Sequence, residues 1–392
     1  MYTYVLIGVL FISGEILINL KNKYWNKFGK YLILFLFFFV VGLSYKIHND
    51  YYTYEIFYKS INFYNIKDIN IRYKMELGFL YLNILFNNIL NFNNFKALVY
   101  FVNTILIWKG IRYFFDEKRT LLVMCFLYFY GDFYFFYLPS FRQATAISIF
   151  IYSFKYLKEK NLKKYFLLSI VACFFHKSAI ILFGVYYFFR FLKVNKLMLI
   201  IFWIFNFISY YFLDFFWIKI LNIPVSFIAN FYPEILLKTK YFQLDSGGSP
   251  KEFLFYIIIF GIAIFYYNKK EEFFIKGYLI FQLFYLFQKF IPIMYRFNLY
   301  VQIFFIFYVI ILLKKIKEKK LRIISKYLLL IFFLLNFNLR FISNKSQEGG
   351  LIPFHSSIEL LYKEIPYKDT AEFIHVQNKN KDPKDFIKRK NN

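Results

Sequence analysis

Cysteine is almost absent: there are 2 in 392 residues, and both Cys125 and Cys173 sit inside apolar runs. No disulfide framework and no zinc-ligand spacing exists. An Asp-x-Asp metal motif, a nucleophile elbow and a phosphate-cradling glycine loop are likewise missing. Acidic residues are scarce, 23 against 50 Lys and Arg, which leaves a formal net charge of +27. Polar surface is scarce too. Hydrophobic residues make up 60% of the chain, with 60 Phe, 38 Tyr and a mean hydropathy of +0.46. Soluble domains run near half apolar, so this composition excludes an ordinary soluble core and points to membrane spans. The basic excess falls in short clusters between apolar runs, the place of loops in a membrane protein, and so does not read as a nucleic-acid surface.

A helix needs roughly 20 residues to cross the hydrocarbon core. Twelve runs approach that length, near 2–20, 29–45, 95–113, 120–138, 141–157, 162–175, 178–190, 197–213, 252–267, 275–291, 297–313 and 326–343. The expected fold class is therefore all-α, a polytopic membrane domain over 1–343 followed by a polar tail over 344–392. The first run reads as a span and not as a cleavable signal, because Glu15 interrupts it and the positive residues follow it. The segment 77–94 carries Asn83, Asn87, Asn91 and Asn94 at helical spacing. It reads as lying on or partly entering the membrane without crossing it.

Orientation follows from the basic clusters. They begin at Lys21, Lys109, Lys158, Arg190, Lys269 and Lys314. Twelve spans place all six on one side, the cytoplasm. The opposite, outer side then holds 46–76, the turns near 139–142, 176–177 and 292–296, the long loop 214–251, and both termini. The loop 214–251 contains Asp245-Ser246-Gly247-Gly248-Ser249-Pro250, a flexible stretch suited to a lid or glycan guide.

Polar residues near membrane depth are costly and so are candidates for function. Asp50, Glu76, Arg142, His176 and Arg296 all fall on the outer face. Each has a bland reading as well: a snorkelling arginine, a turn histidine, a solvated loop acid or helix cap. Taken together they suit one chemistry. Arginines offer planar forks for pyrophosphate oxygens. Asp50, Glu76 and His176 offer general bases for a sugar hydroxyl. Gln143, Lys46 and Lys177 add donors or charge, and Tyr52 and Tyr54 add rings for stacking on sugars or lining a lipid groove.

The motifs around these residues resemble the EpsG family of bacterial polysaccharide proteins, relatives of the Wzy polymerases. The resemblance rests on Asp-Tyr-x-x-Tyr at Asp50–Tyr54, Met-Glu-x-Gly-Phe at Met75–Phe79, Phe-Arg-Gln-x-x-Ala at Phe141–Ala146 and Phe-His-x-Ser-Ala at Phe175–Ala179. Arg-Phe-x-x-Tyr at Arg296–Tyr300 is a weaker match. The family often carries Arg and Gly shortly before its Asp, where this chain has Lys46 and Asn49. The resemblance implies a membrane enzyme of the bacterial plasma membrane with a GT-C-like architecture. It would join oligosaccharide repeat units carried on undecaprenyl pyrophosphate into O-antigen, capsule or exopolysaccharide. Arg142 and Arg296 would clamp the pyrophosphate, His176 would act as base or orienting donor, and Asp50 and Glu76 would meet the acceptor hydroxyl. No metal or other cofactor is implied. Membrane lipids, a flippase and a chain-length regulator are the implied partners, with no nucleic acid.

Three other readings fit parts of the sequence: a GT-C enzyme adding a single sugar from a polyprenyl-phosphate donor, a lipid-linked-sugar flippase or other transporter, and a membrane acyltransferase. Transporters often show matching halves or broken helices at the midplane. No such halves are visible here. An acyltransferase would need a His-acid string near a cytoplasmic donor, and none occurs.

The orientation is testable with topology reporters. A fusion after residue 160 is expected to report cytoplasm and one near residue 245 the outside; the same answer from both would refute the span count.

Overall fold

A computed structural model describes residues 2–45, 49–62, 64, 66, 75–130, 137, 140–213, 250–291 and 294–342. Lys46, most of the 214–251 loop and the 344–392 tail lie outside the described residues. Every regular element among the described residues is helical, in agreement with the all-α expectation. The α-helices are α1 (Tyr2–Ile18), α2 (Lys23–Gly42), α3 (Asn49–Ser60), α4 (Leu77–Phe86), α5 (Phe92–Arg112), α6 (Glu117–Phe129), α7 (Phe141–Lys158), α8 (Leu162–Phe175), α9 (Ile181–Phe191), α10 (Lys196–Phe212), α11 (Pro250–Phe265), α12 (Glu272–Gln288), α13 (Met294–Val301), α14 (Ile303–Lys315) and α15 (Lys319–Ile342). Short 3₁₀ turns at Lys177–Ile180 and Lys269–Glu271 precede α9 and α12.

The basic clusters coincide with helix ends, in two electrostatically different ways. Lys109 and Arg112 close α5, Lys155 and Lys158 close α7, Arg190 closes α9, and Lys314 and Lys315 close α14. There they complement the negative end of the helix dipole. Lys23, Lys196 and Lys319 instead open α2, α10 and α15, where the dipole opposes them. Side-chain caps hold such starts: Asn22 accepts from the N–H groups of Tyr24 and Trp25, and Asn195 from that of Met198. Lysine thus stands at both kinds of helix end, whether the dipole favours it or opposes it.

The chain divides into two compact units. The first comprises Met1–Tyr152, Ile170–Lys177 and Tyr327–Asn392. Its centre is α6, buried continuously from Thr120 to Phe129 because it is apolar all round. Phe11 of α1 stacks on Tyr128 at 4.4 Å, and Phe333 of α15 meets Phe126 edge-on at 5.5 Å. Helices α1 and α2 approach closely at two glycines: a Cβ on Gly29 would lie 2.7 Å from the carbonyl oxygen of Gly14. The second unit comprises Ser153–Ser169 and Ser178–Lys326. Buried α12 and α14 form its core, with Phe305 against Tyr256 of α11 at 4.9 Å and Phe304 stacked on Phe154 at 4.6 Å.

Several sequence boundaries change. Within the run 120–138 the helix α6 ends at Phe129 and Tyr130 is extended, while most of 131–138 lies outside the described residues. The run 297–313 begins earlier, at Met294, and is interrupted at Gln302. The run 178–190 opens with the 3₁₀ turn. The 46–76 stretch, read as a loop, contains α3. Segment 77–94 splits into α4 and the start of α5, with Asn91 as the α5 cap accepting from Asn94 N–H. At 10 residues, α4 is about 15 Å long and too short to cross a bilayer. Among the described residues two helical stretches, Lys23–Gly42 and Met294–Lys315, are both long and apolar enough to cross by length and composition. Helix length therefore does not by itself establish twelve spans.

The glycine contact makes a stability prediction. Gly29→Leu is expected to lower thermal stability by about 1–3 kcal/mol through overpacking against α1. Gly184→Ala, where an added Cβ meets nothing within 4 Å, is expected to be neutral or slightly stabilising. Thermal unfolding of purified protein checks both, and equal losses would contradict the packing described.

Candidate functional site

The first unit brings four separate segments together, Arg142 on one of them. The first is α3. Tyr51, Tyr54, Phe57 and Tyr58 are buried and recur at helical spacing, forming one aromatic stripe. Asp50 lies in the first turn, exposed, where a carboxylate suits the positive end of the helix. Two phenols dock this helix beside α5: Tyr51 Oη donates to Asn93 Oδ1, and Tyr58 Oη donates to the Leu90 carbonyl at 2.9 Å. Lys96 of α5 is also buried. Its Nζ donates to Ser44 Oγ at 2.8 Å and to the Ser44 carbonyl, and lies 5.3 Å from the Tyr51 ring centre. It thus ties down the backbone just before the stretch that carries Asp50 and Tyr54.

The second segment begins α4. Glu76 has a side chain only 8% exposed. A Cβ on Gly78 would lie 2.8 Å from the Phe174 carbonyl oxygen, so glycine allows α4 to abut the end of α8. That approach brings the carboxylate to the third segment, where Oε1 accepts the backbone N–H of Lys177 at 3.2 Å. Oε2 takes Nη1 of Arg142 in an ion pair.

Arg142 is the fourth segment, in the first turn of α7, with a side chain 21% exposed. Its Nε donates to Tyr54 Oη at 3.3 Å, and its guanidinium carbon lies 5.7 Å from the Tyr54 ring centre. Phe79 and Phe141 wall the pair: Tyr54 lies 5.6 Å from Phe79 and 6.0 Å from Phe141, ring to ring. Burial pushes the Tyr54 phenol above its ordinary pKa, with Arg142 pulling partly the other way. The phenol is therefore neutral near pH 7 and retains a proton to donate. No described residue accepts from Nη2 of Arg142 or from that phenol. One edge of a fixed, desolvated cation and one O–H thus stay available beside each other, which suits an anionic oxygen group.

The other candidates are placed as follows. His176 is half-buried directly before Lys177, its backbone N–H bonded to the Ala172 carbonyl at 3.0 Å. The side chain of Lys177 is exposed, and its contribution to the cluster is the backbone N–H. Gln143 is buried at 3% exposure, and Tyr52 is half-buried on α3. Arg296 belongs to the second unit, on α13, with Nε donating to Tyr295 Oη at 3.2 Å. In the same unit Ser178 Oγ and Tyr300 Oη are 3.1 Å apart, so residues of two quoted motifs meet there. Lys46 lies outside the described residues. Among the described residues no three His, Cys, Asp or Glu side chains converge as a metal site. Lys96 and the pairing of Glu76 with Arg142 were not foreseen from sequence. The stripe Tyr51, Tyr54, Tyr58 was visible there as helical spacing.

The class these features define, among the described residues, is an all-helical protein in which a desolvated ion pair sits in an aromatic frame and presents donors for an anion. The chain matches the EpsG family over residues 3–356 and belongs to it. Members of that family are Wzy-type polysaccharide polymerases, and the family is a membrane one. No curated protein and no solved structure matches the chain.

The ion pair can be tested without an activity assay. Glu76→Ala strands a largely desolvated guanidinium and is expected to cost about 3–5 kcal/mol. The double change Glu76→Leu with Arg142→Met is expected to be much milder, because no charge is left unpaired. Thermal unfolding reads both, and a double change worse than the single one would contradict the geometry.

Proposed function

We propose that the chain polymerises lipid-linked oligosaccharide repeat units at the outer face of the bacterial plasma membrane, in a multi-pass arrangement of GT-C-like type. The carrier in this reading is undecaprenyl pyrophosphate, and the product is O-antigen, capsule or exopolysaccharide. The observation that carries it is Arg142, held on two sides by Glu76 and Tyr54 with its Nη2 edge unspent. The family supports the polymerase class.

In the reaction, a hydroxyl oxygen of the acceptor unit bonds to the anomeric carbon of the growing glycan. The bond from that carbon to the pyrophosphate oxygen breaks, and the hydroxyl proton passes to a base. Negative charge grows on the leaving pyrophosphate. A cation fixed in advance in a desolvated frame stabilises that charge without reorganising. Arg142 fills this role through Nη2, with the Tyr54 O–H as a second donor. Both oxygens of Glu76 are engaged, by Arg142 and by Lys177 N–H. That suits Glu76 to orienting the arginine and leaves His176 and Asp50 as the groups to meet the acceptor hydroxyl.

A guanidinium that must reach Glu76, Tyr54 and an anion at once and an arginine that merely snorkels respond differently to lysine. In the clamp reading Arg142→Lys fails nearly as badly as Arg142→Ala, because a point charge cannot reproduce the fork. The expected loss is on the order of 10²–10³ in rate, the scale of a removed oxyanion donor. The readout is the polysaccharide ladder of a deletion strain carrying each variant, with protein level checked by blot. A normal ladder from Arg142→Lys would show that charge alone suffices, a normal ladder from Arg142→Ala would remove the residue from the site, and growth by one sugar would favour a single-sugar transferase.

A further inference from the structure

The second unit contains a cavity of about 320 Å³ that the polymerase reading does not use. Five cations line it, Lys158, Lys160, Arg190, Lys193 and Lys276, against one carboxylate, Glu272. That carboxylate is already neutralised. Lys276 is buried at 8% exposure, with Nζ 2.7 Å from Glu272 Oε1 and 3.0 Å from the Phe189 carbonyl it donates to. Lys160, Arg190 and Lys193 are exposed and form no ion pair among the described residues. The cavity therefore gathers three cations that no carboxylate pairs with among the described residues. Like charges so gathered repel one another and call for an anion from outside.

The backbone helps to place these cations. After α7 the chain turns back sharply, with Asn161 N–H bonded to the Tyr156 carbonyl at 2.9 Å and Lys160 at φ 58°. That left-handed position is the one where helix ends usually carry glycine. Here it carries a lysine, despite the strain, and the lysine lines the cavity. Arg190 closes α9, and Lys193 follows two residues beyond its end. Positive side chains there also lie beside the exposed carbonyls of the helix terminus.

The rest of the lining is apolar and aromatic, including Tyr186, Phe189 and Phe273. Large apolar groups continue outward on α9 and the start of α10: Tyr187 is 52% exposed, Phe191 72% and Leu197 67%. The rings of Tyr187 and Phe191 stack in parallel at 6.1 Å. Cations at a headgroup-sized cavity, with bare rings and a leucine beside it, match an anion that carries hydrocarbon. Basic pockets on the cytoplasmic side of membrane helices take anionic headgroups in this way.

We propose that this cavity binds the phosphate headgroup of an anionic phospholipid, with its acyl chains along the Tyr187–Phe191 face. The assignment to the cytoplasmic leaflet rests on the orientation proposed from the basic clusters, whereas the binding itself does not depend on the polymerase reading. The bound lipid would hold the cation-rich ends of α7, α9 and α12 together, and the unit would be most stable in membranes rich in anionic lipid.

The test uses the full chain, purified in neutral detergent, with cardiolipin as the probe and phosphatidylcholine and inorganic phosphate as comparisons. Native mass spectrometry reads retained lipid, and thermal unfolding reads stabilisation. Cardiolipin is expected to be retained and to raise the unfolding temperature, with phosphatidylcholine and millimolar phosphate doing neither. The triple change Lys160→Gln, Arg190→Gln and Lys193→Gln is expected to weaken cardiolipin retention about tenfold or more, since it removes three cations that would face the headgroup. Lys118→Gln with Arg119→Gln, in the first unit, is expected to retain it. Should the triple variant fail to fold, Arg190→Gln alone carries the comparison in smaller measure. Undiminished retention in folded variants would overturn the proposal, as would equal loss in the first-unit control. Stabilisation by phosphate alone would also overturn it, by assigning the cavity to a free anion.

Discussion

The Glu76 carboxylate organises the first unit's polar site. Its two oxygens reach a guanidinium from α7 and a backbone N–H from the turn after α8, and the same guanidinium reaches back to Tyr54 of α3. The contact thus joins four separate segments of the first unit through one ion pair. A pair this desolvated is not a cheap source of stability, because removing two ions from water costs several kcal/mol before their attraction returns it. What it confers is geometry. Aromatic rings on either side exclude water, the arginine cannot wander without stranding the acid, and its remaining edge has one direction to face. That restriction separates a fixed electrostatic group from an arginine that merely reaches the lipid headgroups.

Small and buried residues away from the charges make this pairing possible. Gly78 lets α4 meet the end of α8 closely enough for Glu76 to find Lys177 N–H. Lys96 holds Ser44 just ahead of α3, and Tyr51 and Tyr58 fasten that helix beside α5. None of them offers chemistry of its own to a sugar or a phosphate. They act by deciding where Tyr54 stands relative to Arg142, and a site that needs a fixed donor depends on them as much as on the donor itself.

Basic residues have a different logic. Those that close helices agree with the dipole, and those that open helices oppose it, with asparagine caps at the starts of α2 and α10. A pattern indifferent to helix stability is what an external constraint produces, and sidedness in a membrane is such a constraint. The cation-lined cavity of the second unit takes the same residues one step further, since it draws charges from three helix ends into one concavity.

The sequence alone determined the fold class, the alternation of apolar runs with basic clusters, and the family-bearing motifs around Asp50, Glu76, Arg142 and His176. Each of these is a local property: hydrophobic periodicity, charge at run ends, or a string of neighbouring residues. Helix α3 was missed, because its polar neighbours made 46–76 read as a loop, although Tyr51, Tyr54 and Tyr58 stand at helical spacing. Only tertiary structure decided that Glu76 pairs with Arg142, that Lys177 contributes a backbone N–H while its side chain stays exposed, and that Lys96 anchors Ser44. Those partners stand 66, 101 and 52 residues apart in the chain. No local pattern specifies such pairings, because they follow from which helices pack together and at which glycine they come close.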